Sequence, residues 1–147
     1  MPEPQATETI FAALFFTANR LQAQADKYLS EHNITSRQWL LLAVIAKSPG
    51  NICTIGQAAK ILCTSHQNIK QMASLLEKNG WIEWFVSPDD RRRLYMKQTE
   101  LCKGFWQKRE KQDLDYLNQL FSIFSGEEKT AFASFLMRFY ASMGGEL

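Results

Sequence analysis

Ile10, Leu14, Ala18, Leu21, Ala25 and Tyr28 recur every three or four residues. That spacing predicts an amphipathic helix from 7 to about 30. Phe11, Phe15 and Phe16 widen its apolar stripe beyond what one core usually needs. The helix is therefore either buried in its own domain or shared with a partner subunit. Thr35-Ser36-Arg37-Gln38 has the form of a capping box, and an apolar run from 39 to 46 follows until Pro49-Gly50. The same start signal recurs at Thr54-Ile55-Gly56-Gln57 and at Thr64-Ser65-His66-Gln67. Two helix starts this close leave room for one two-turn helix, a tight turn and a second helix, which is helix-turn-helix spacing.

The second of these helices is expected from about 65 to 79, with Gly80 as its left-handed stop. Ile69, Met72, Ala73 and Leu76 fall on one side, and Gln67, Lys70, Gln71, Ser74 and Lys78 on the other. A merely solvated face would usually alternate Glu and Lys at i, i+4. This one offers amides, hydroxyls and lysine, groups that bond base edges and phosphates. Residues 81–86 and 94–99 are rich in aromatic and β-branched types, separated by Ser87-Pro88-Asp89-Asp90. They predict a β-hairpin whose tip carries Arg91, Arg92 and Arg93. Three adjacent guanidiniums repel one another and call for an anion nearby. Either Asp89 and Asp90 neutralise two of them, or one Asp–Arg pair stiffens the tip and the others reach a narrow DNA minor groove. A long helix is expected from 100 to about 124, with Leu114, Leu117, Leu120, Phe121 and Phe124 on one side. Lys103, Lys108, Arg109 and Lys111 make its first half basic. A last helix opens at Ser125-Gly126-Glu127-Glu128, carries Phe132, Phe135, Leu136, Phe139 and Met143 in one stripe, and ends at Gly144-Gly145.

Charge sharpens this picture more than composition does. The 147 residues are 46% hydrophobic and 22% charged, and carry a net +2. Between Lys60 and Lys111, however, eleven Lys and Arg face six Asp and Glu. A basic middle between more acidic ends suits a polyanion contacted by one face. No apolar run approaches the roughly 20 residues of a membrane span. Met1-Pro2-Glu3-Pro4 lacks secretory-signal character, so a cytoplasmic protein without membrane contact is expected. Cys53, Cys63 and Cys102 show no metal-ligand spacing, and reduced thiols are the default. No metal, no cofactor and no catalysis is expected, because there is no nucleophile–base set and no Gly-rich phosphate loop.

Leu75-Leu76-Glu77-Lys78-Asn79-Gly80-Trp81-Ile82 resembles the end of the recognition helix in the MarR (multiple antibiotic resistance regulator) family. Pro88-Asp89-Asp90-Arg91-Arg92 resembles that family's wing signature. Trp84 stands where the family often has an arginine. The resemblance implies a mainly α fold with a small β-hairpin, a single MarR-type domain over 1–147. Its winged helix-turn-helix lobe would span 35–99, and its helical dimerisation region 7–31 and 101–147. It implies a homodimer on a pseudo-palindromic operator in double-stranded DNA, acting as a transcriptional repressor. Contacts would fall on Ser65, His66, Gln67, Asn68, Lys70 and Gln71. In the wing, Asp90 with Arg92 would be the stiffening pair, and Arg91 or Arg93 the minor-groove contact. It further implies release by a small aromatic effector in a cleft. Phe11, Phe15, Trp39 and Trp106 would line such a cleft, unless they are ordinary core.

Two other readings remain at this stage. A thiol-redox regulator of the same fold would use Cys63, in the turn before the recognition helix. A winged-helix adaptor for another protein would lack the basic wing that this chain carries.

Overall fold

The structure, a computed structural model, describes residues 1–145. Glu146 and Leu147, the end of the expected 101–147 segment, lie outside the described residues. Six α-helices and three short strands follow in the order α1 (Glu3–Leu29), α2 (Ser36–Lys47), β1 (Ile52–Thr54), α3 (Ile55–Ile61), α4 (His66–Lys78), β2 (Ile82–Ser87), β3 (Asp90–Gln98), α5 (Glu100–Leu120) and α6 (Gly126–Ser142). The chain is thus mainly helical with a small antiparallel sheet.

Local chemistry sets the helix starts. Thr35 and Thr54 form complete capping boxes with Gln38 and Gln57, and Ser125 does so with Glu128. Each satisfies two backbone donors that would otherwise lack a partner. At α4 the expected box does not form. Ser65, one residue later than Thr64, is the cap, and its Oγ accepts the Asn68 N–H at 3.1 Å. The first helix begins earlier than its apolar stripe, because Pro4 stands in its first turn, where its fixed φ suits a helix and its missing N–H is one that has no partner anyway.

The sheet has three strands where the sequence predicts a two-stranded hairpin. β1 is only three residues long and gives no alternation to detect, yet it adds to β3 to make the order β1-β3-β2. β2 and β3 pair from Ile82↔Gln98 to Val86↔Leu94, after which Ser87 pairs with Asp90. β2 advances one residue there while β3 advances four. Arg91, Arg92 and Arg93 therefore have no partners on β2. They bulge from the end of β3 rather than sit on a separate loop tip.

Every fully enclosed apolar side chain lies between Leu29 and Cys102. Leu41, Leu42 and Ile45 of α2 meet Ile69, Ala73 and Leu76 of α4 and Met96 of β3 in one cluster. Trp84 packs against this cluster from β2. The winged lobe thus holds the core. α6 buries no residue, and α1 buries only Leu29.

Candidate nucleic-acid interface

α4 is built to present one face and bury the other. Ile69, Ala73 and Leu76, at i, i+4 and i+7, anchor it in the core. Gly80 ends it with φ +76°, a conformation that costs glycine nothing. The opposite face is left in solvent: His66, Gln67, Asn68, Lys70, Gln71, Ser74 and Lys78 are all exposed. Ser65 is exposed too, but its hydroxyl is engaged as the helix cap. The Asn68 amide is also occupied, donating to Thr64 Oγ1 at 3.0 Å. Gln67, Lys70 and Gln71 have free heads, within one helical turn of one another. At the start of α4 the amides of His66 and Gln67 remain outward, an arrangement that favours an anion.

The wing is held by Asp90, but not as its sequence pattern suggests. Asp90 Oδ1 accepts the main-chain N–H of Arg92 at 3.1 Å, and Asp90 Oδ2 pairs with Arg93 Nε at 3.2 Å. The expected Asp90–Arg92 side-chain pair is therefore replaced by Asp90–Arg93. The reason is geometric: a turn closed by the i+2 amide brings the i+3 side chain back over the carboxylate and sends the i+2 side chain away. Among the described residues Arg91 and Arg92 form no ion pair, and both are exposed. The free guanidiniums of the wing are these two, with Arg93 committed to the turn.

The aromatic residues assigned to a cleft do not come together. A cavity of about 430 Å³ opens between α1, α2 and the α3–α4 turn. Trp39 lines it with Leu21, Leu40 and Met72. Phe11 and Phe15 do not. They lie within about one turn (Phe15) and two turns (Phe11) before Ala18, the first wall residue of α1, are 61% and 68% exposed, and pack edge to face on each other at 5.2 Å. Trp106 packs on Phe105 against the core instead. The sequence also hid three wall residues, Ser36, Arg37 and Cys63, because nothing in their spacing links them.

Arg109 belongs to the interior and not to a basic surface. It is 8% exposed, bonds Asp113 at 3.0 Å and contacts the His32 ring. Its guanidinium also lies over the faces of Tyr28 and Phe105. Asp113 accepts the Tyr28 hydroxyl at 2.7 Å as well, so one carboxylate ties α1 to α5. Among the described residues no group of His, Cys, Asp or Glu is arranged to hold a metal. No helix of the described residues is long and apolar enough to cross a membrane.

A family model described as MarR family matches residues 32–93, the winged lobe. The transcriptional activatory protein BadR of Rhodopseudomonas palustris is 23% identical over 99 residues, 67% of this chain and 57% of its own. The transcriptional repressor MprA of Escherichia coli K12 is 28% identical over 111 residues, 76% of this chain and 63% of its own. The chain thus spans less than two thirds of the length of these curated relatives. A MarR family transcriptional regulator from Silicibacter pomeroyi superposes with a TM-score of 0.82 at 13% identity, covering 97% of this chain and 94% of that one. Sco3205 of Streptomyces coelicolor, a MarR family regulator solved in complex with DNA, gives 0.77 at 20% identity, covering 95% and 91%. At these identities the structural likeness is one of fold.

Proposed function

The chain belongs to the MarR family, and on that premise we propose that it is a sequence-specific DNA-binding transcriptional regulator. In this reading it is a homodimeric cytoplasmic repressor of a pseudo-palindromic operator, released by a small aromatic effector and without catalytic activity of its own. The observation that carries the reading is the outward face of α4. It is polar, without acid from His66 to Leu76, and followed in the chain by a wing with two unpaired arginines. Such a face can read base edges at about 1–3 kcal/mol per bidentate pair, while the arginines supply affinity through phosphate or minor-groove potential.

The dimer is supported by the apolar residues that one chain leaves in water. Ile10, Phe11, Phe15 and Phe16 on α1, Leu114 and Leu117 on α5, and Phe132, Phe135 and Phe139 on α6 are all exposed. Burying each would gain up to about 1.5–3 kcal/mol, which a second copy can supply. Two α4 helices then need a separation of roughly 34 Å to enter successive major grooves. A ligand regulates if it binds two such separations with different affinity. The cavity beside Trp39 joins α1 to the helix-turn-helix, so an occupant there bears on that separation.

The test is fluorescence anisotropy on the intergenic DNA beside the coding region, against random duplex. The wild-type chain is expected to prefer the former. Arg91→Ala with Arg92→Ala is expected to weaken both about equally and to lower the salt slope by about two. An unchanged slope would remove the wing from the interface. BadR is named an activator and MprA a repressor; a reporter behind the bound promoter decides the sign, and rising expression on deletion of the gene supports repression.

A further inference from the structure

His32, Arg109, Asp113 and Tyr28 tie the junction between α1 and α2 to α5. The junction is a short turn, Ser30–His32, followed by Asn33 at φ +54°. On one side Asp26 Oδ1 of α1 accepts the Ser36 N–H at 2.6 Å, at the start of α2. On the other side the buried guanidinium of Arg109 reaches out from α5. Its Nη1 meets His32 Nε2, and its Nη2 donates to Asp113 at 3.0 Å. Arginine only donates and keeps its charge throughout. His32 Nε2 is therefore the acceptor, and the ring carries its one proton on Nδ1.

This contact exists only for the neutral imidazole. An imidazolium has no acceptor to offer, and its charge would face the guanidinium directly. The carboxylates at hand are engaged or turned outward. Asp113 already accepts from Arg109 and from the Tyr28 hydroxyl. Glu31, beside His32 in the chain, is exposed and forms no ion pair among the described residues. Lys27, which lines the same groove as Glu31 and Arg109, adds a further positive charge. The other ring against His32 is that of Phe105, edge to face at 4.8 Å. Burial, and then Asp113, hold Tyr28 above the ordinary phenol value, so it keeps its proton across the neutral range.

We propose that His32 and Arg109 position the winged lobe: their contact clasps the α1–α2 junction to α5 while His32 is neutral, and acid opens it. The clasped ring holds one proton fewer than the open one can, so lowering the pH favours the open form. Opening frees the angle between α1, which carries an exposed apolar face, and α2, the first helix of the lobe. That angle sets how far apart two α4 helices lie in a dimer, so DNA binding falls in acid. This consequence rests on the function proposed above; the clasp does not. An unperturbed imidazole changes charge near pH 6.5, so at pH 5.5 protonation favours opening by at most about tenfold per chain. His66, the chain's other histidine, lies on the outward face of α4, where an added proton strengthens contact with phosphate. The two histidines thus act on DNA binding with opposite signs.

Nuclear magnetic resonance on the full-length chain, labelled with nitrogen-15 at histidine, reads the clasp directly. At pH 8 the His32 ring is expected to carry its proton on Nδ1 with Nε2 bare; a proton on Nε2 would overturn the contact. Fluorescence anisotropy on the intergenic duplex at pH 8 and 5.5, at fixed salt, reads the consequence. Wild type is expected to lose several-fold in affinity at the lower pH, and His66→Gln at least as much. His32→Gln, whose amide oxygen accepts from Arg109 without titrating, should bind at least as well at pH 5.5 as at pH 8. His32→Lys, a permanent cation, should bind weakly at both, with wild-type helix content by circular dichroism; if it does not fold, the His32→Gln profile decides alone. No acid loss in His66→Gln, or an equal loss in wild type and His32→Gln, would overturn the positioning role. So would acid dissociation of the dimer in light scattering, because the loss would then arise at the subunit contact. If the chain binds DNA at neither pH, the function proposed above fails, while the ring tautomer still decides the clasp.

Discussion

Single residues in this protein often do something other than what their type suggests. Arg109 reads as one of four basic surface residues, yet it is an internal strut between α1 and α5. Its partners lie 77 residues away at His32 and one turn along at Asp113, and only the latter spacing is visible in the chain. The cysteines divide by burial. Cys102 is fully enclosed, and burial pushes its thiol up to about 11; Cys53 is raised for the same reason. Both keep their protons at neutral pH and are poor nucleophiles. The linkage has a definite sign. Below pH 9.0, the ordinary thiol value, folded and unfolded chains are alike; as pH rises toward 11, only the unfolded chain releases the proton. Stability should therefore fall across that window, by roughly 2–3 kcal/mol from Cys102. Urea titrations at pH 8 and 10.5 should show the fall in the wild type and a smaller one in Cys102→Ala. An identical fall in both would assign it to other groups.

At the scale of elements, caps decide where helices start, and the sequence signals them unevenly. Thr35, Thr54 and Ser125 behave as their spacing to Gln or Glu predicts. At α4 two candidate hydroxyls are adjacent, and Ser65 takes the role from Thr64 while Thr64 serves Asn68. This separates two roles that fall on Ser65, capping α4 and facing DNA. Ser65→Ala should cost about 1 kcal/mol of stability through the lost cap. Ser65→Asp should keep the cap and still weaken DNA binding, because it places a negative charge where a phosphate would sit. A melt and an anisotropy titration on both variants read the two effects apart. If Ser65→Asp binds DNA as wild type does, the start of α4 does not face phosphate. The wing shows the same limit. Its strand residues are legible from their β-branched and aromatic types, but a four-for-one register step is not, and that step decides which arginines stand free.

At the scale of the molecule, one chain is lopsided. Among the described residues the apolar core lies in the winged lobe and its immediate flanks, from Leu29 to Cys102, while α6 and the first half of α1 lie almost wholly in solvent. A folded domain in water does not leave Phe11, Phe15, Phe132, Phe135 and Phe139 uncovered without reason. Phe135→Glu together with Phe11→Glu should yield a monomer by light scattering, with the winged lobe still folded by circular dichroism. DNA affinity should fall steeply, because two tethered lobes bind far better than one. A variant that stays dimeric would place the interface elsewhere.

The amino-acid pattern alone determined the order of the helices and the hairpin, the outward polar face of α4 and the hairpin's basic end, but not strand β1. These depend on period, caps and turn residues within ten or so positions, and such local constraints survive in any context. Only the tertiary structure decided that Arg93 rather than Arg92 closes the wing on Asp90, that Arg109 is interior, and that Ser36, Arg37 and Cys63 share one cavity while Phe11, Phe15 and Trp106 stay out of it. Those facts depend on which helix faces meet in space. The relative angle and register of packed elements are set by the sum of many weak contacts, and no short stretch of chain records that sum.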